Sequence, residues 1–131
     1  MDKTELRKLQ AFLQNAFGND SIKVTLDPKD TDKAAVHFGE ARLGTIAVDD
    51  EDGDRSFSFE MKIPVERHVL QEYLRRRFEN DDLKIVARAK KTDSVELNKG
   101  SDFLGVISAD DAKGRSYTLQ MAILDFDLED Y

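Results

Sequence analysis

Leu104-Gly105-Val106-Ile107-Ser108-Ala109-Asp110-Asp111-Ala112-Lys113-Gly114-Arg115-Ser116-Tyr117-Thr118-Leu119-Gln120-Met121-Ala122-Ile123 reads as a strand, a tight turn and a second strand. The plan occurs twice. Leu43-Gly44-Thr45-Ile46-Ala47-Val48-Asp49-Asp50 enters a similar turn around Gly53 and leaves it as Arg55-Ser56-Phe57-Ser58-Phe59-Glu60-Met61-Lys62-Ile63. At an offset of 61, Leu9 matches Leu70, Gln10 Gln71, Leu13 Leu74, Phe17 Phe78, Asn19 Asn80, Gly39 Gly100, Leu43 Leu104 and Gly44 Gly105. Past the turn an offset of 60 matches Arg55 with Arg115, Ser56 with Ser116, Met61 with Met121 and Ile63 with Ile123. A deletion at a hairpin tip is where a chain tolerates one. The identities fall on turn glycines and core positions, which marks a duplication.

Each copy spans 1–63 or 64–131 and begins with a helix. Leu6, Leu9, Phe12, Leu13, Ala16 and Phe17 recur at helical spacing over about Thr4 to Phe17. Asp2 with Glu5 forms a capping-box pattern and Gly18 a left-handed stop. Four strands are expected next: Ile22 to Leu26, Ala34 to Phe38, Arg42 to Val48 and Arg55 to Ile63. Leu43, Ile46 and Val48 make the third strand apolar on both parities, which predicts a central strand covered on both sides. Pro64 predicts a second helix over about Val65 to Phe78, with proline in its first turn.

The fold expected is therefore α+β: two tandem copies of a helix plus a four-stranded, mostly antiparallel sheet, pseudo-two-fold related and packed as one body. A copy of this size carries a small core, and Ile63-Pro64-Val65 supplies no flexible spacer, so the copies are expected to share one. The chain then behaves as a fused pseudo-dimer and a monomer.

Phe103-Leu104-Gly105-Val106-Ile107, the turn Asp110-Asp111 with Gly114, and the ending Leu119 to Leu128 resemble a family of short bacterial proteins of unknown function, numbered 3126. Arg76-Arg77-Phe78 and Lys90-Lys91-Thr92-Asp93-Ser94 belong to the same likeness. The first copy fits more loosely, with Met61-Lys62-Ile63-Pro64 in place of the acidic ending. The resemblance implies a tandem version of a single-unit bacterial protein and carries no catalytic residue across.

Composition bounds the function. A charged fraction of 36%, a net charge of −7 and 40% hydrophobic residues describe a soluble globular chain, and the acidic balance disfavours nucleic acid. The absence of cysteine removes disulfides and thiolate chemistry. No apolar run reaches membrane-spanning length and the amino terminus has no apolar leader, so a cytoplasmic protein with no membrane partner is expected.

The acidic turn Asp49 to Asp54 resembles a calcium loop only superficially. With Gly53 as the sixth position, the first and twelfth ligands fall on Val48 and Phe59. A solvated turn is expected there, with no metal and no cofactor. His37 and His68 sit at unrelated positions without an evident nucleophile beside them. No catalytic residue emerges, and an enzyme built on a carboxylate pair is the third-ranked reading.

Two surfaces remain. Ser56, Ser58, Lys62, Ser116, Thr118 and Gln120 point outward by alternation, and with Phe126 and Leu128 of the tail form a candidate surface for an unknown protein partner. Parity changes after Ile123, so Leu124, Phe126 and Leu128 are either returned to the core by a bulge or bend and buried against the other copy, the leading reading, or left as an apolar strip for a partner. Arg75, Arg76, Lys84, Arg88, Lys90 and Lys91 form a candidate basic patch at the end of the second helix, suited to weak binding of a ligand or nucleic acid. A non-enzymatic protein-interaction module is the leading expectation, and the basic patch carries the alternative.

Overall fold

The computed structural model describes residues 1–50 and 55–131, so the acidic segment 51–54 lies outside the described residues. Helix α1 covers Lys3–Phe17 and is followed by strands β1 (Ile22–Leu26), β2 (Lys33–Phe38), β3 (Ala41–Asp49) and β4 (Ser56–Ile63). A single 3-10 turn, Arg67–Val69, leads into α2 (Leu70–Phe78), then β5 (Leu83–Arg88), β6 (Lys91–Lys99), β7 (Asp102–Ala109) and β8 (Tyr117–Leu124). A second 3-10 turn, Asp125–Leu128, follows β8.

The eight strands among the described residues form one antiparallel sheet in the order β1-β2-β3-β4-β8-β7-β6-β5. The halves of the chain thus join edge to edge, through β4 and β8. That ladder runs the full length of both strands, from Ser56 opposite Leu124 to Ile63 opposite Tyr117, with Glu60 opposite Gln120. Phe57, Phe59, Met61 and Ile63 alternate into the core on β4, as do Tyr117, Leu119, Met121 and Ile123 on β8. Leu9, Leu13, Ala16 and Phe17 of α1, with Leu70, Leu74 and Phe78 of α2, cover that face. The opposite face is left without helices.

The helices also finish the sheet's edges. In the edge strands β1 and β5, Gln10 Oε1 accepts from Val24 N at 2.9 Å and Gln71 Oε1 accepts from Ile85 N at 3.0 Å. Gln14 Nε2 donates to Ile22 O at 2.9 Å, and Arg75 Nε to Leu83 O at 2.8 Å. An edge strand otherwise presents unpaired backbone groups to other chains. The matched glutamines Gln10 and Gln71 are explained by this edge duty.

The helix ends meet over the middle of the sheet. Phe17 and Phe78 stack with centroids 3.9 Å apart and planes 4° off parallel. Asn19 Nδ2 donates to Phe78 O and Asn80 Nδ2 donates to Phe17 O, each at 2.9 Å. Each asparagine therefore caps a carbonyl at the end of the other half's helix, a group that the helix cannot satisfy by itself.

Three sequence expectations are corrected. The two-parity pattern of β3 does not arise from cover on both sides. Val36 pairs with Gly44 and His37 with Arg42, leaving Leu43 as the extra residue of a β-bulge. A bulge shifts parity, so Leu43 and Ile46 both point into the single core while the other face stays open. Leu104 is skipped in the same way between Phe103 and Gly105. The glycine that follows is required by close approach. A Cβ on Gly44 would run into the Glu60 carbonyl oxygen, and one on Gly105 would lie 2.5 Å from the Gln120 carbonyl oxygen.

The second helix starts later than expected. Pro64 terminates β4 rather than opening α2: Val65 N donates back to Ile63 O at 2.9 Å, and Glu66 is still extended before the 3-10 turn. The third correction concerns the tail. The parity change after Ile123 is resolved by ending the strand at Leu124, where Asp127 Oδ2 accepts from Leu124 N at 2.9 Å and starts the 3-10 turn. Leu128 enters the core at 3% exposure, whereas Phe126 stands 62% exposed.

Candidate functional site

The open face of the sheet collects most of the expected partner surface. Across the central ladder Ser58 faces Ala122, Glu60 faces Gln120 and Lys62 faces Thr118. Gln120 Nε2 donates to Glu60 Oε1 at 2.9 Å, and Lys62 Nζ donates to Thr118 Oγ1 at 2.8 Å. Thr118 Oγ1 in turn donates to Asp110 Oδ1 at 2.6 Å, and Ser116 Oγ donates to Asp110 Oδ2 at 2.8 Å. Lys62 Nζ lies 3.6 Å from the same carboxylate. The hydroxyl donors, Thr118 first and then Ser116, with the Lys62 charge adding to them, hold Asp110 below the usual carboxylate range.

Thr118 and Ser116 are therefore occupied in fixing the β7–β8 turn, and Gln120 and Lys62 are bonded across the ladder while staying exposed on the same face as Ser58. Of the tail residues expected beside them, Leu128 is a core residue and only Phe126 is exposed.

The structure adds residues that the sequence pattern did not single out. Phe103 is 58% exposed, and with Val106, Gln120, Ala122 and Ser58 it lines a shallow hollow. The equivalent hollow in the first half is lined by Arg42, Thr45, Glu60 and Lys62, and there Arg42 Nη2 donates to Thr45 Oγ1 at 2.9 Å. At these matched positions Arg42, Glu60 and Lys62 carry charge where Phe103, Gln120 and Ala122 do not, while Lys99 and Asp102 bring charge to the rim of the second hollow. The signal was present in the sequence as unlike residues at matched outward positions, but the bulges at Leu43 and Leu104 hid which positions were outward.

The basic patch is dispersed. Arg75 is engaged with the Leu83 carbonyl, Arg76 Nε lies 2.6 Å from Glu72 Oε1, and Arg88 Nη1 donates to Ser94 Oγ at 2.9 Å. Lys84 is exposed on edge strand β5, and Lys90 and Lys91 are exposed at the β5–β6 turn. Half of the patch is thus engaged in internal bonds, Arg76 through an exposed pair.

The second acidic turn is self-satisfied: Asp111 Oδ1 accepts from Lys113 N at 3.1 Å and from Arg115 N at 3.3 Å. Residues 51–54 of the first turn lie outside the described residues. Among the described residues no group of acidic or histidine side chains has the arrangement to hold a metal. Glu5 is held below the usual carboxylate range chiefly by its hydrogen bond to Arg55, whose Nε lies 2.6 Å from Glu5 Oε2, and the Arg55 guanidinium is raised by the same bond. A paired carboxylate with a lowered pKa is a poor general acid near neutral pH.

A repeated helix-plus-sheet unit with the same bulge, edge and cap devices in both halves is the architecture on which the family comparison falls. The model of the family described as protein of unknown function (DUF3126) matches the chain at residues 5–65 and again at 66–127. The chain belongs to this family. It is a tandem DUF3126 protein, and the second match begins just past the Pro64 strand end. No curated protein and no solved structure matches it. No helix among the described residues of this DUF3126 chain is long and apolar enough to cross a membrane.

Proposed function

We propose that the chain is a non-enzymatic protein-interaction module whose working surface is the open face of the sheet. Its two repeats, 1–63 and 64–131, each contribute a helix and four strands and are related by a pseudo-two-fold axis through the β4–β8 ladder. The ladder register supports this relation. Glu60 faces Gln120, its own counterpart in the duplication, and the pairs Phe57–Ile123 and Ile63–Tyr117 exchange places when the halves are swapped.

The observation that carries the functional reading is the exposed Phe103 beside Val106 and Ala122 in a hollow rimmed by Ser58, Gln120, Lys99 and Asp102. An apolar centre with a polar rim is the anatomy of a protein interface. The engagement of Arg75, Arg76 and Arg88 in internal bonds argues for this face over the basic patch. Crosslinking in a lysate of the source organism with a photoreactive residue at Gln120 tests the reading. A defined partner should be captured at low and moderate salt and lost in Phe103→Asp. Capture that is unchanged by Phe103→Asp, or no specific capture, overturns it.

A further inference from the structure

The outer faces of the two helices are finished differently. On α1 the chain's last residues lie along the helix. Leu128 is buried, the Tyr131 ring packs edge-on against Phe12 at 6.1 Å and 83°, and Asn15 Nδ2 donates to Tyr131 Oη at 2.8 Å. Repeat register equates Phe12 with Tyr73, Asn15 with Arg76, Ala16 with Arg77, Lys8 with Val69 and Lys99 with Phe38. On α2 those residues, with Val65, line a groove of about 530 Å³. After β4 the chain turns directly into the helix at Arg67–Val69, so among the described residues no segment runs along α2 as the tail runs along α1.

We propose that this α2 groove docks an acidic peptide segment of a partner protein, carrying a leucine and a tyrosine at the spacing of Leu128 and Tyr131. Charge and polarity identify the occupant. The groove replaces Lys8 and Lys99 by Val69 and Phe38, which makes its floor apolar, and replaces Asn15 and Ala16 by two arginines and Ala11 by Glu72, so its charge is a net positive one concentrated on the guanidinium groups. Arg77 Nε is buried without a hydrogen-bond partner among the described residues, and Arg76 uses its Nε for Glu72 while its side chain stays 80% exposed, so the rest of its guanidinium can meet a second carboxylate. A buried guanidinium donor without a partner is costly and is satisfied by a carboxylate.

The tail's own sequence, Asp127-Leu128-Glu129-Asp130-Tyr131, supplies that combination of apolar anchors and carboxylates. The tail of the same molecule is already held on α1 by Phe12 and Asn15, which leaves the second groove to another chain. This inference concerns the helix side of the molecule and does not depend on the open-face reading.

The test is titration of the isotope-labelled full chain with a synthetic peptide of the sequence of residues 124–131, followed by backbone and side-chain NMR. Saturable shifts at Val65, Val69 and Tyr73 are expected, weakened by added salt. Arg76→Glu should weaken binding about tenfold, consistent with loss of one charge-assisted contact. Val69→Asp, which places a carboxylate on the apolar floor, should weaken it as well. Unchanged signals from Phe17 and Phe78 in each variant establish that the fold is intact. Shifts confined to Phe12 and Asn15, or no shifts at millimolar peptide, overturn the proposal. A concentration-dependent dimer that buries the same groove in sedimentation also overturns it, because the occupant is then a second copy.

Discussion

The two repeats stop their helices at equivalent residues, Gly18 and Glu79, in the same left-handed conformation, with φ of 63° and 52°. One position carries the residue suited to that backbone and the other carries a side chain that it strains. Identical residues lie beside these ends, where the halves face each other: Asn19 with Asn80, Phe17 with Phe78. Outward positions diverge freely, with Arg42 against Phe103 and Lys62 against Ala122. A duplication keeps the surface on which its copies meet, while the surfaces turned to water are released to specialise.

The shared surface can be broken most severely at its stack. Phe78→Ala removes a fully buried ring and should cost about 3–5 kcal/mol in urea unfolding, with Phe17→Ala similar. The double variant should cost less than the two losses combined, because each single change already destroys the same contact. Strict additivity would mean that the rings do not act as a pair.

Next in size is the close approach beside the bulges. Gly44→Ala and Gly105→Ala should each destabilise by about 1–3 kcal/mol, since a β-carbon has no room against the carbonyls of Glu60 and Gln120. Gly44 should suffer more, because its neighbour is backbone at closer range, whereas Gly105 also meets the flexible Met121 side chain. Equal losses would show that the two bulges relax alike.

Glu79→Gly sharpens the comparison in the other direction. Relief of left-handed strain outweighs the added freedom of the unfolded chain, and a gain of about 0.5–1 kcal/mol is expected. Gly18→Ala should be destabilising on two counts, its positive φ and a β-carbon 2.6 Å from Asn80 Nδ2.

The smallest effect is with pH. Glu5 and Asp110 both have folded pKa values below their unfolded ones, so their contribution is present above the ordinary carboxylate value of about 4 and is lost as pH falls through the lowered folded values. Glu5→Gln and Asp110→Asn should each flatten the acid limb of stability measured by thermal melting. The partial exposure of both pairs keeps the change modest. An unchanged acid limb would remove these pairs from the account.

The repeat, the strands and the inward alternation of β4 and β8 were legible because each follows from local periodicity and matched residues. The bulge was not legible, since an extra residue in one strand has the same pattern as a strand buried on both sides. Leu43 with Ile46 fits either reading until pairing is known. Asn19 and Asn80 were visible as identities, but their reason is a contact between segments 59 and 63 positions apart, and no local pattern encodes it. At the candidate surface Ser58, Lys62 and Gln120 followed from alternation, whereas Phe103 and the α2 groove depend on where the chain turns. Pro64 has the pattern of a helix start, where proline is favoured, but the turn closed by Val65 N to Ile63 O places it at the end of β4.

The reciprocal asparagine caps carry a consequence for the order of events during folding. Neither helix terminus can be completed by its own half, so the last bonds at Phe17 and Phe78 wait for the distant segment to arrive. Contacts of such sequence separation slow the search far more than they weaken the product. The amides around Asn19 and Asn80 should therefore gain protection together and late in refolding, reporting the instant at which two half-formed sheets become one.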